Sequence, residues 1–245
     1  MDTLTLKDFR LASCQATLFT PDEEVSTAKL VKGLLPSWVE LFDAEPTSVP
    51  TLQGLPREVP RLTLESKSGA WRCEIASARI NLFWRQPKAD APEQTLTQFF
   101  SKATTLLNEY RDFLGARVGR LAAVLNRYAQ HPSPGLFLAR HFCQERWLTG
   151  SLNRPENFEL HAHKRFSLSG RFLVNSWVRS KTGRLSSGEE NQPIVLVEQD
   201  LNTLSEEIET QAFSKEDIDR FFSSTVTEFD VILRLYYPGE DSHAS

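Results

Sequence analysis

Apolar residues along this chain recur with two periods, near two and near three-and-a-half, so strands and amphipathic helices are both expected. Residues 9–19, FRLASCQATLF, mix apolar and small polar residues at strand length. TPDEE then reads as a helix start: Thr20 as N-cap, Pro21 in the first turn, and Asp22, Glu23 and Glu24 at the positive end of the dipole. Val25, Ala28, Leu30, Val31, Leu34 and Leu35 continue it, Pro36 ends or kinks it, and SWVELF can extend it. The proline-rich stretch 45–60 reads as a loop. RLTLES and WRCEIASARINLFWRQ flank KSGA, a hairpin turning at Ser68-Gly69. The second arm is long for one strand, so a bulge or third strand is expected near Ser77. Over 95–114, Leu96, Phe99, Phe100, Ala103, Leu106, Leu107, Tyr110, Phe113 and Leu114 make one helical stripe, closed by Gly115.

The second half repeats the alternation. RVGRLAAVLNRY at 117–128 reads as a strand, and HPSPG opens a short helix over LFLARHFCQERWL. FELHAHKRFSL and RFLVNSWVRS form a hairpin around Ser169-Gly170, and PIVLVEQDL at 193–201 is a β-branched strand. A last long helix begins at Ser214, with Asp217 at capping-box spacing. Its buried stripe is Ile218, Phe221, Phe222, Val226, Phe229, Ile232 and Leu233. The expectation is an α+β fold forming one globular unit over residues 1–245. Residues 9–114 run strand, helix, hairpin, helix; residues 116–235 run strand, helix, hairpin, strand, helix. The two halves share no residue-level identity. As pseudo-repeats they would join into one curved antiparallel sheet with long helices on one face, an arrangement like the TATA-binding-protein fold. That analogy carries no function.

Composition alters this picture little. The chain has 245 residues, 40% of them hydrophobic and 24% charged, ordinary values for a soluble globular protein. No apolar run approaches the ~18 residues of a membrane span, and MDTLTLKDFR lacks the layout of a signal peptide. Cys14, Cys73 and Cys143 are odd in number and far apart, as expected of reduced thiols in a cytoplasm. Charge is more informative. Residues 1–109 carry a net −2, residues 110–185 a net +9, and residues 186–245 a net −11. Such asymmetry points either to an anionic partner or to two blocks that face one another.

Some stretches resemble a known family. These are the early strand CQATLF before an acidic helix, a Ser-Gly hairpin, and strands of the type ARINLFW, RVGRLAAVLNRY, SGRFLVNSWVR and IVLVEQDLNT. Together with the phenylalanine-rich last helix, they resemble a sporadically distributed family of uncharacterised bacterial proteins of about this length. The stretch LRLYYPG departs from that family's pattern. The resemblance implies a bacterial cytoplasmic protein and brings no catalytic residues with it.

Candidate chemistry centres on ELHAHKRFSL, residues 159–168. In a strand, Glu159, His161, His163 and Arg165 share one side, and Leu160, Ala162 and Phe166 the other. Two imidazoles at i and i+2 can begin a metal site, which would need Glu159, His141 or Cys143 as further ligands. The adjacent Lys164 and Arg165 oppose a cation, so a solvated or ligand-facing strand surface is the reading here, with anion contact and proton transfer as alternatives. No HExxH, CxxC, GxSxG, GxGxxG or GxxxxGK[ST] pattern occurs. Glu198 and Asp200 share one side of a strand, where Mg²⁺ or a neighbouring arginine can meet them. Buried packing is expected for Cys14 and Cys73. Arginines recur among aromatics within the strands. Arg120 and Tyr128 share one face of theirs, and Arg171, Trp177 and Arg179 share another with Leu173 and Asn175. The candidate surface is therefore Arg120, Tyr128, His161, His163, Arg165, Arg171, Trp177 and Arg179. The first reading is a non-enzymatic binding or adaptor protein that meets a protein partner through this face. The second is a nucleic-acid or nucleotide binder using the basic 110–185 block. The third is an enzyme whose site is assembled from distant residues. No cofactor is implied.

Overall fold

The computed structural model describes residues 3–22, 26–49, 56–87, 94–150, 153–187 and 190–239. Nine strands form one antiparallel sheet in the order β2-β3-β4-β5-β1-β6-β9-β8-β7. They are β1 (Arg10–Phe19), β2 (Thr47–Ser48), β3 (Leu62–Glu65), β4 (Trp71–Ile75), β5 (Arg79–Arg85), β6 (Arg120–Gln130), β7 (Glu159–Leu168), β8 (Phe172–Ser187) and β9 (Glu190–Thr203). The helices are α1 (Thr27–Gly33), α2 (Leu35–Trp38), α3 (Leu96–Leu114), α4 (Pro134–Phe142) and α5 (Lys215–Tyr236). None is long and apolar enough to cross a membrane among the described residues.

Alternation decides which face is covered. Cys14, Ala16 and Leu18 of β1 register with Trp84, Leu82 and Ile80 of β5 and with Leu125, Ala123 and Leu121 of β6, and all are buried. The two long helices lie against this side. Trp71 of β4 stacks on Phe99 of α3, with centroids 5.4 Å apart. Gln199 of β9 donates to the Phe229 carbonyl of α5 at 2.8 Å. Phe100 of α3 stacks on Phe222 and Phe229 of α5, locking the helices together. Burying such rings contributes about 1.5–3 kcal/mol each. Smaller helices join the same side: Trp38 of α2 donates to Glu109 of α3 at 2.7 Å, and His141 of α4 stacks on Tyr237 after α5. One contiguous apolar core results.

Local signals act largely as expected. Thr95 and Ser214 cap α3 and α5 with reciprocal side-chain bonds, and Gly115 at φ 68° closes α3. The Ser77 region separates β4 from β5. Three expectations need correction. Thr20 is no N-cap: it is buried, and its N–H donates to the Ala78 carbonyl at 2.9 Å, extending the β1–β5 ladder. The cap is Ser26, whose hydroxyl accepts from Lys29 N, so α1 starts at Thr27; residues 23–25 lie outside the described residues. The proline-rich loop contributes the two-residue β2, paired to β3 at Thr47–Thr63 and Ser48–Leu62. Finally, β8 and β9 run past their expected ends to Ser187 and from Glu190. Ladder bonds hold that extension, and its sequence lacks the apolar alternation that marks a half-buried strand.

Candidate functional site

The opposite face of the sheet carries none of the helices α1–α5. Its side chains fall into rows across the strands. One runs Glu65, Arg72, Phe83, Gln15, Val124, Asp200, Trp177, His163, from β3 to β7. The next runs Thr63, Glu74, Asn81, Thr17, Ala122, Asn202, Asn175, Arg165. A third joins Arg85, Ser13, Asn126, Glu198, Arg179 and His161.

The structure brings seven of the eight expected residues to this face. His163 stacks on Trp177 with centroids 4.3 Å apart, and Arg179 lies 5.7 Å from the Trp177 ring while pairing with Glu198. Asn175 accepts from Arg165 Nε at 2.8 Å and lies 3.1 Å from His163 Nε2; Arg165 also pairs with Glu206 at 2.8 Å. His161 Nε2 sits 2.6 Å from Glu159 Oε1, a contact that holds the Glu159 carboxyl below its ordinary value. Arg120 lies 4.7 Å over the Phe19 ring and donates to the Thr203 carbonyl and to Asn202 Oδ1 at 3.0 and 2.6 Å. Tyr128 stands between Arg10 and Leu196.

Arg171 is the exception. It precedes β8, and its guanidinium turns to Asp217 at the start of α5, with Nε 2.6 Å from Oδ1. Strand parity holds a side chain to one face only inside the pleat, and Arg171 belongs to the turn.

The middle of the face is a set of amides, hydroxyls and carboxylates that the candidate residues do not include. Gln15 Nε2 donates to Thr17 at 3.0 Å, and Thr17 donates to Asn81 Oδ1 at 2.9 Å. Asn202 donates to Asp200 at 2.8 Å. Burial raises the Asp200 carboxyl above its ordinary value, against the lowering influence of Asn202, Arg120 and Arg179. Thr17 and Asn81 are 1% and 3% exposed although no helix covers them. The i, i+2 spacing of Glu198, Asp200 and Asn202 signals part of this set in sequence; the pairing of Thr17 with Asn81, 64 residues apart, gives no such signal. Toward β4 and β5 the face deepens into a hollow of ≈ 370 Å³ bounded by Gln15, Arg72, Phe83, Arg85 and Val124.

Three arginines on this face are already engaged by carboxylates. Arg72 meets Glu65 and Glu74, Arg165 meets Glu206, and Arg179 meets Glu198. Adding Arg117–Glu209, Arg127–Asp230 and Arg171–Asp217, five ion pairs among the described residues join the basic 110–185 block to the acidic 186–245 block. The two blocks face one another.

Other places offer less chemistry. The larger furrow between α3 and α5, ≈ 700 Å³, is lined by hydroxyls and carboxylates such as Glu109 and Asp219, which accept from Trp38 and Asn108. Cys14 and Cys73 are buried, which pushes both thiols well above their ordinary pKa and away from the reactive thiolate. No group of three or more His, Cys, Asp or Glu among the described residues is placed to hold a metal ion.

No protein-family model matches the sequence, and no curated protein is similar to it. Among solved structures, Methanococcus jannaschii TBP aligns over 90% of this chain and 99% of its own, at 10% identity and a TM-score of 0.30. The fold described above stands on its strand order and register.

Proposed function

We propose that this chain is a non-enzymatic binding protein of the bacterial cytoplasm, an adaptor that meets a protein partner through the open polar face of its sheet. The observation that carries the reading is the cluster of Trp177, His163, Arg165 and Arg179 at the β7–β8 end of a face that none of the five helices covers. Aromatic and arginine side chains held in place by neighbours lose little entropy on binding, as interface hot spots require. We also propose that the sheet is curved with this face concave. The support is Thr17, Asn81 and Asn202, nearly inaccessible on a face that none of the described helices covers. The chain is read as a single globular unit of two pseudo-repeated halves, 9–114 and 116–235. In support, β1 and β6 sit side by side at the centre, and β5-β4-β3 and β9-β8-β7 extend from them toward opposite edges, each in descending chain order.

The carboxylates beside Arg72, Arg165 and Arg179 count against the nucleic-acid reading, because a phosphate would have to displace them. The test pairs two measurements. The partner that co-purifies with the native chain is expected to be lost in Trp177→Ala/Arg179→Ala and kept in the α3 variant Lys102→Ala. Equal retention by both variants would contradict the reading. In mobility-shift assays with short DNA and RNA at two salt concentrations, no salt-sensitive complex is expected; one would favour the second reading.

A further inference from the structure

The two edges of the sheet differ. At one, β2 has only two residues and follows Pro46, a short edge of the kind that discourages further pairing. At the other, β7 offers ten residues without proline and without a register shift against β8. Its outward backbone groups can be assigned. The Phe158 carbonyl accepts from Thr182 N at 3.1 Å, one pair beyond Glu159–Lys181. Bonded and unbonded pairs alternate in an antiparallel ladder. The even-numbered residues of β7 therefore bond to β8, and Glu159, His161, His163, Arg165 and Ser167 turn their N–H and C=O groups outward. None of these groups meets a backbone partner outside the strand among the described residues. On the helix side, Phe158, Leu160, Ala162 and Phe166 are only half-buried, so an apolar strip ends at the edge.

A strand that meets its own copy antiparallel has a centre, where one residue faces itself. Odd positions must meet odd ones for the outward groups to bond, so the axis passes through a residue and not between two. Lys164 or Arg165 at the axis would set like charges together, His163 would set His161 against Arg165, and His161 would set Phe166 against Glu156. Ala162 is the smallest side chain of the strand. With Ala162 at the axis, Glu159 of each copy meets Arg165 of the other, His161 meets His163, Phe158 meets Phe166, and Leu160 lies under the stem of Lys164. The crossing ion pair adds to the contacts within the chain. Glu159 uses Oε1 for His161, and Arg165 uses Nε for Asn175 and Nη2 for Glu206, which leaves Glu159 Oε2 and Arg165 Nη1 on half-exposed side chains. We propose that β7 pairs with β7 of a second copy in this register, joining two sheets into one about a two-fold axis. The apolar strip of each copy continues into that of the other, and the outward ladder is completed. This pairing is independent of the partner proposed for the open face, which the dimer presents twice.

The test uses the full chain. Sedimentation velocity from about 1 to about 200 µM is expected to show a monomer–dimer equilibrium, in the weak range of so small an interface. Register is read by cysteine crosslinking with diamide in a Cys143→Ser background, since Cys14 and Cys73 are buried. Ala162→Cys sets two thiols in an unbonded pair with Cα atoms about 4.5 Å apart, within disulfide reach, whereas Lys164→Cys sets them out of reach. Backbone pairing is read by His163→Pro against His163→Ala. Proline at 163 removes an outward N–H and leaves the β8 ladder intact; circular dichroism checks the fold, with His161→Pro in reserve. The expected results are a covalent dimer from Ala162→Cys and not from Lys164→Cys, and a dimer dissociation constant about tenfold or more higher in His163→Pro than in His163→Ala, because the two-fold axis loses each bond twice. Glu159→Arg is expected to weaken the dimer and Glu159→Arg/Arg165→Glu to restore it. A chain that stays monomeric over the whole range overturns the pairing, as does equal association of the two variants at 163. A covalent dimer from Lys164→Cys in place of Ala162→Cys overturns the register. None of these results bears on the open face, whose reading is tested by retention of its partner.

Discussion

Asp200 shows at the level of one residue how this face is held. It stands between Val124 and Trp177 in its row, and burial raises its carboxyl above the ordinary 3.8. A folded-state pKa above the unfolded value means the native state binds the proton more tightly. Stability then falls as pH rises from about the unfolded value through the raised one. Above that window the ionised Asp200 opposes folding. Asp200→Asn keeps an acceptor for Asn202 and is expected to raise the melting temperature at pH 7, the gain shrinking as pH drops below that window. An unchanged or lower melting temperature at pH 7 would contradict this. Arg127 gives the converse case: only 8% of its side chain is exposed, and it pairs with Asp230 on α5. Asp230→Ala should cost about 1–3 kcal/mol in urea denaturation, below the loss for a fully buried pair because Asp230 is 42% exposed. At this scale the sequence was readable wherever parity applied, as for His161, His163, Trp177 and Arg179. It failed at Arg171, one residue outside the pleat, and at the Gln15–Thr17–Asn81 set, whose members meet only through long-range pairing.

Among the elements, α5 is anchored at its first turn by three side chains. Ser214 Oγ accepts from Asp217 N at 3.2 Å, Asp217 Oδ2 accepts from Ser214 N at 3.1 Å, and Asp217 also receives Arg171 from the β7–β8 turn. Burial raises the Asp217 pKa, but bonds from Ser214 and Arg171 outweigh it, leaving the carboxyl below its ordinary value. The sign is opposite to that of Asp200: this contribution is present above the unfolded value and lost as pH falls through the folded one. Ser214→Ala should cost about 1 kcal/mol, and Asp217→Ala more, since it also releases Arg171. Equal costs in chemical denaturation would show that the turn contact contributes nothing. Capping chemistry made the starts of α3 and α5 legible in the sequence. The start of α1 was not, because TPDEE satisfies the same rules, while the ladder bond from Thr20 N to the Ala78 carbonyl depends on a residue 58 positions away, just before β5.

For the whole molecule, the uneven charge is largely an internal matter. Five ion pairs join the basic block to the acidic one, and β9 of the acidic block lies between β6 and β8 of the basic one. Removing residues 186–245 therefore takes out an interior strand together with α5, and the remainder is expected to show no cooperative unfolding transition; a folded, soluble fragment would contradict that. The charge pattern was visible in sequence, but its partner was not, since only the strand order says which block meets which. On the proposed reading, an outside partner meets the open face of the sheet. The most direct measurement places a photo-crosslinking benzoylphenylalanine at position 177 on the open face, and separately at position 102 on α3, in the cells that make the protein. A discrete protein adduct from 177 and none from 102 is the predicted result. A nucleic-acid adduct at 177, or the same adducts from both positions, would contradict the account.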